Sequence, residues 1–177
     1  MRFNNYLNAI GEDYNFIKKF ARPKGGVCGV LLEDLTDLPY VVLKKEVPDL
    51  FDSSKFDEAF YLILKNYKKN ITFRRVKRVK NNEKLLFMLW IKDQYKKIDE
   101  LESNYLVTPP DIKLLQAGIR DLDVLGDVNT IDILAGGDIL KWELVRQLPY
   151  SEVFNKLLKN TIEGRINKKL VEINKQK

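Results

Sequence analysis

Eight cations fall within sixteen residues: Lys65, Lys68, Lys69, Arg74, Arg75, Lys77, Arg78 and Lys80, with Tyr67 and Phe73 between them. Basic side chains interleaved with aromatic ones suit a surface that tracks phosphates, since the cations neutralise the backbone and the rings offer flat apolar area. The same spacing also suits two other roles. Lysine on an exposed strand edge blocks unwanted pairing, and a dense positive face docks an acidic protein. The net charge of +6 is compatible with each.

The other chemistry-bearing residues point away from catalysis. Histidine is absent, which removes the commonest general base and the commonest metal ligand. The single cysteine, Cys28, has no histidine to activate it and excludes an internal disulfide; it reads as a buried structural thiol. "ARPKGGVCGV" is glycine-rich but lacks the Gly-Lys-Ser/Thr of a phosphate loop. Carboxylate pairs such as Asp57/Glu58 and Asp99/Glu100 are spaced like solvated helix faces. In "RDLDVLGDVNT" Asp121, Asp123 and Asp127 loosely outline a calcium loop, interrupted by Leu122, Val124 and Leu125, which belong in a core. The expectation is a protein that is not an enzyme and uses no cofactor and no metal.

The elements that position these residues follow from apolar periodicity. Phe3, Tyr6, Leu7 and Ile10 keep a helical step until Gly11, and a loop is expected at Pro23 to Gly26. "VCGVLLEDL", 27–35, is the best strand candidate. Asp37 and Pro39 start a short helix over 38–46 that Pro48 ends. Ser53 or Ser54 caps a helix with Phe56, Phe60, Leu64 and Tyr67 on one stripe. Residues 71–79 read as a strand edge or a twisted linker. Asn81 and Asn82 open a long helix whose stripe runs through Leu86, Leu89/Trp90, Asp93, Lys97 and Glu100/Leu101, apolar at its start and charged toward its end.

Pro109 and Pro110 mark a boundary, followed by a helix with Ile112, Leu115 and Ile119 inward, a short helix between glycines over 126–137, and a helix capped by Asp138. Leu148, Pro149 and Tyr150 form a structural corner, because Pro149 disfavours helical geometry at Leu148 and sets its own φ. The same Leu-Pro-Tyr phrase at 38–40 reads as a second junction rather than a repeat. The last helix carries Phe154, Leu158, Ile162, Ile166, Leu170 and Ile173 on one side and is expected to outrun the core.

The fold expected is mainly α: a helical bundle-like domain with a minor β component and a long amphipathic C-terminal helix. An N-terminal mixed region over 1–80 carries the basic run, and a helical region covers 81–177. The core should include Phe60, Leu64, Leu86, Leu89, Trp90, Leu115, Ile119, Ile131, Leu134, Trp142, Val145, Phe154, Leu157 and Leu158. Trp142 and Phe154 should share one cluster across the corner. The first residues do not read as a secretory signal, and no apolar run reaches the ~18 residues of a membrane span. A soluble protein in a reducing compartment is expected, with no membrane partner.

Residues 84–170 add a resemblance. "LWIKDQYKKIDELE", "AGIRDLDVLGDVNTIDILAGGDILKWE" and "LPYSEVFNKLLKN" are similar to small structural proteins of tailed bacteriophages, above all the crAss-like phages, whose tail is built from stacked rings beneath the portal. The resemblance covers about half the chain, and its motifs are helix starts and core positions, so no functional residue carries over. It implies a homo-oligomeric ring or head-to-tail connector subunit, made in the bacterial host cytoplasm and resident in the virion. Its neighbours would be portal or tail ring subunits, with DNA contact in a channel. A tail-assembly chaperone is the related alternative, and a nucleic-acid-binding accessory protein using residues 65–80 is another.

Overall fold

The structure is a computed structural model that describes residues 24–107 and 112–175. The helix expected over 2–10 and the boundary at Pro109–Pro110 lie outside the described residues. The chain is mainly α-helical with a small two-stranded sheet. It divides into two compact units, residues 1–98 and 99–177. That boundary falls inside the helix over Asn81–Tyr105, whose buried side ends at Ile98.

In the first unit, strands β1 (Gly26–Val27) and β2 (Val30–Leu31) form an antiparallel hairpin with Val27 opposite Val30. Its two-residue turn, Cys28–Gly29, has positive φ at both positions, 59° and 71°. This is the twist-matched turn that joins tight hairpins. The strand expected over 27–35 is therefore far shorter, because the turn reverses the chain after two residues. Gly25 lies flat against the core: a Cβ there would stand 2.8 Å from the indole ring of Trp90.

Beyond the hairpin, Asp34 organises the turn in place of Asp37, accepting hydrogen bonds from the Thr36 backbone N–H (2.9 Å) and hydroxyl (2.7 Å). The chain becomes helical at Tyr40 and does not stop before Pro48. A turn of π-helix over Val42–Glu46 leads directly into α1 (Val47–Asp52), with the Val47 N–H bonded to the Val42 carbonyl. Proline lacks an N–H and its ring crowds the carbonyl four residues back. The wider turn relieves that crowding and lets the helix continue.

Ser53 and Ser54 end α1 rather than cap the next helix. Ser54 has φ 58°. Its N–H bonds to the Phe51 carbonyl (2.9 Å) and the Lys55 N–H to the Leu50 carbonyl (2.8 Å), the paired bonds of a left-handed helix terminus. Helix α2 (Phe56–Tyr67) buries Ala59, Phe60, Ile63 and Leu64. Residues Phe73–Lys77 form a short helix, α3, with Val76 buried. The expected strand edge over 71–79 is absent, because Ile71 and Val76 anchor the segment inward and leave its cations on a helical turn.

Helix α4 (Asn81–Tyr105) buries Phe87, Leu89, Trp90, Ile91, Gln94, Tyr95 and Ile98. This face is rotated by about one residue, some 100° on a helix, from the stripe expected through Asp93 and Lys97. Phe51, Phe60, Phe87 and Trp90 form an aromatic chain with centroid separations of 6.1, 5.2 and 5.7 Å. The Tyr95 hydroxyl donates to the Leu43 carbonyl at 2.6 Å, and Lys84 pairs with Asp57 at 2.6 Å, tying α4 to the helices before it.

In the second unit, α5 (Ile112–Gln116) stops at Gly118, whose φ is 84°. A 3₁₀ segment follows over Ile119–Leu125, so the single helix expected there is broken. Helix α6 (Asp127–Ala135) comes next. The Asp138 carboxylate accepts from the Leu140 N–H at 3.0 Å and caps the turn before α7 (Trp142–Gln147), as expected. Helix α8 (Tyr150–Lys175) is the last described element.

Of the residues expected in the core, Phe60, Leu64, Leu89, Trp90, Ile131 and Val145 are buried. Leu86, Leu115, Leu134, Trp142, Phe154, Leu157 and Leu158 are half-buried, and Ile119 is exposed. Leu35, Leu38, Leu43, Val47, Phe51 and Phe87 are buried as deeply and were not among the residues expected there.

Candidate functional site

The basic run is carried by the end of α2, the connection after it, and α3. All eight cations, Lys65, Lys68, Lys69, Arg74, Arg75, Lys77, Arg78 and Lys80, are exposed. Among the described residues none of them forms an ion pair. Tyr61 and Phe73 meet edge-to-face at 5.6 Å. The Lys65 ammonium stands 5.5 Å over the Tyr61 ring and the Lys77 ammonium 4.8 Å over the Phe73 ring. Such contacts hold flexible lysine heads in place. Tyr67 is not free to stack: its hydroxyl donates to the Asp34 carbonyl at 3.0 Å. Burial first, then the charges of Asp37 and Asp34, push its phenol well above the ordinary range. Protection of a strand edge no longer explains the run, since these residues are helix and turn.

A cleft of about 540 Å³ opens beside this face, lined by Lys55, Phe56, Phe73, Lys77, Lys84 and Met88. The Lys84–Asp57 pair lies across it. Among the described residues no buried side-chain nitrogen or oxygen lacks a partner.

Cys28 is not the buried thiol expected. It occupies the hairpin turn, part-exposed. Its pKa is raised, chiefly by partial burial and against the opposing charge of Arg75. Among the described residues no three acidic, cysteine or histidine side chains are grouped to hold a metal ion. The calcium-like stretch keeps Leu122, Val124 and Leu125 exposed, Val124 to 86%, so the apolar residues expected to enter a core do not.

The corner is present. Leu148 is extended (φ −63°, ψ 144°) between α7 and α8, and the Pro149 carbonyl accepts from both Glu152 and Val153 N–H groups. Tyr150 is buried and donates to the Glu102 carboxylate at 2.7 Å. Among the described residues Trp142 and Phe154 make no direct ring contact. Trp142 directs its indole N–H to Asp132 at 3.0 Å, and Phe154 has Tyr150 as its ring neighbour at 6.1 Å.

A second surface goes beyond the sequence expectation, which left only the last helix outside the core. Among the described residues twenty large hydrophobics are exposed, and nineteen of them lie between Leu101 and Ile173; Leu31 is the exception. They include Leu114, Ile139, Leu140 and Leu144, and on α8 Ile162, Ile166, Leu170 and Ile173. The available signal was an excess of amphipathic segments over faces able to cover them. Among the described residues no helix is long and apolar enough to cross a membrane.

No family model, curated protein or solved structure matches this chain.

Proposed function

We propose that this chain is an assembly subunit whose residues 99–175 complete their apolar packing by association with further copies of the same chain. The observation that carries this reading is the segregation of exposed apolar side chains. Among the described residues Leu31 is the one exposed large hydrophobic of residues 24–98, whereas residues 101–173 leave nineteen exposed. Exposed apolar side chains in that number suit an interaction face. On α8, Ile162, Ile166, Leu170 and Ile173 recur at steps of four, four and three, so they share one side of the helix. That pattern suits packing against a helix of the same kind.

The setting we assign is a tail or head-to-tail connector ring of a tailed phage. It rests on the resemblance of residues 84–170 to virion structural proteins. In that setting copies associate head to tail with a rotation that closes, and portal or other tail ring subunits are the neighbours.

Light scattering over a range of concentrations tests the association. The expected mass is an integer multiple of the chain mass, falling to that of a monomer in an Ile166→Glu/Leu170→Glu variant. A wild-type chain that stays monomeric at every concentration, with α8 folded, overturns the proposal. Electron microscopy then tests closure: rings support the connector assignment, and open filaments argue against it.

A further inference from the structure

The basic face of α2 and α3 differs from the apolar surface of residues 99–175 in what it lacks. Between Lys65 and Lys80 there is no carboxylate. Between residues 32 and 100 none of the exposed side chains is a large hydrophobic. Ile71 and Val76, the apolar residues nearest the cations, are 3% and 0% exposed.

A protein partner is held at the centre of its interface by desolvated aromatic or apolar anchors, with charge at the rim. This face has the charge, and among the described residues no large apolar side chain on it is exposed. A single strand is gripped by stacking its bases on free rings, but Tyr61, Phe73 and Tyr67 are already engaged with each other, with lysines or with the backbone. What remains is a spread of exposed cations, two of them steadied over aromatic rings. That suits the partner with the densest row of charge, a double helix, with one phosphate per roughly 1.7 Å of axis against about 3.4 Å for one strand.

We propose that the α2–α3 face binds the phosphate backbone of double-helical DNA without reading its sequence. Arg74, Arg75, Lys77 and Arg78 supply contacts from α3 and the turn that ends it, and Lys65, Lys68 and Lys69 supply them from the end of α2. The surface lies within residues 24–98 and the assembly face within 99–175, so either proposal can fail without the other. Light scattering on the same variants separates them.

The test is fluorescence anisotropy of the full chain with a short mixed-sequence DNA duplex across a salt series. The expected result is binding at low salt that weakens steeply, with log K falling against log salt by roughly 0.9 per phosphate neutralised. Replacing Arg74, Arg75, Lys77 and Arg78 with glutamine should lower that slope by about 2–4. Lys65→Gln/Lys68→Gln/Lys69→Gln, which leaves α3 intact, should lower it by a smaller amount. Circular dichroism checks that both variants fold. No binding at low salt overturns the proposal, as does an unchanged slope in both folded variants. Equal affinity for the single strand would make the face a general polyanion site and overturn the duplex assignment. Displacement by polyglutamate as readily as by duplex would assign the face to an acidic protein.

Discussion

At the scale of single residues, two side chains give predictions of opposite sign. Ser54 holds a left-handed conformation at the end of α1 (φ 58°), which is costly for a residue with a Cβ and free of that cost for glycine. Ser54→Gly should therefore stabilise the protein by about 0.5–1 kcal/mol after the greater chain entropy of glycine is counted, read as a higher urea midpoint at unchanged slope. Tyr67 works the other way. Its hydroxyl is bonded to the Asp34 carbonyl, and Tyr67→Phe should cost about 1 kcal/mol at neutral pH. The sign of the pH dependence follows from the raised pKa. The neutral phenol is favoured in the folded state, so its stabilisation is complete below the ordinary value of 10.0 and is lost as pH rises above it. The stability gap between wild type and Tyr67→Phe should be constant through neutral pH and shrink above pH 10, as followed by urea unfolding at each pH.

At the scale of elements, the two prolines act differently although both stand in helical surroundings. Pro48 is absorbed by the π-helical turn at Val42–Glu46, and the chain runs on. Pro149 has an extended residue before it, and the chain turns. Pro149→Ala restores an N–H and removes the restriction on Leu148, so α7 and α8 can join as one helix. The consequence lies at Tyr150 and Val153, which are 2% and 1% exposed, and not at Ile162 and Ile166, which are already exposed. Moving that buried pair and breaking the Tyr150–Glu102 hydrogen bond should cost about 2–4 kcal/mol, despite the better helix propensity of alanine. Thermal melting of the variant measures it; a melting temperature equal to that of wild type would show that the corner is held by something other than the proline.

At the scale of the whole molecule, stability is distributed unevenly. The aromatic chain from Phe51 to Trp90 and the buried side of α4 through Ile98 concentrate the core in the first unit. Helix α8 is exposed from Ile162 onward. Local opening follows the density of buried contacts. Hydrogen exchange should therefore find the amides of Phe87–Ile98 among the slowest in the protein and those beyond Ile162 among the fastest in dilute solution. The fast set should slow as concentration rises if α8 packs against another copy. Protection in α8 that is independent of concentration would count against self-association through that helix.

The legible part of this protein was local. The opening of α4 at Asn81, the Asp138 cap and the Pro149 corner depend on a few neighbouring residues, because φ restriction, missing donors and short side-chain bonds act within a turn. The mainly α character followed from apolar spacing, and the length of the C-terminal helix beyond the core followed from its repeat. Several other features required the third dimension. Which face of α4 is buried depends on what packs there, and a one-residue rotation separates Asp93 and Lys97 from Ile91, Gln94 and Ile98. Whether Phe73–Lys77 becomes strand or helix turned on where Ile71 and Val76 could be buried, since five residues carry too weak an intrinsic preference to choose. The continuation through Pro48 needed a widened turn that no residue type announces. The exposure of Ile119, Leu122 and Val124 was likewise invisible in the residue order, where an apolar side chain reads as core. Only the tertiary arrangement decides whether a chain covers every apolar face, and here nineteen large apolar side chains between residues 101 and 173 stay exposed among the described residues.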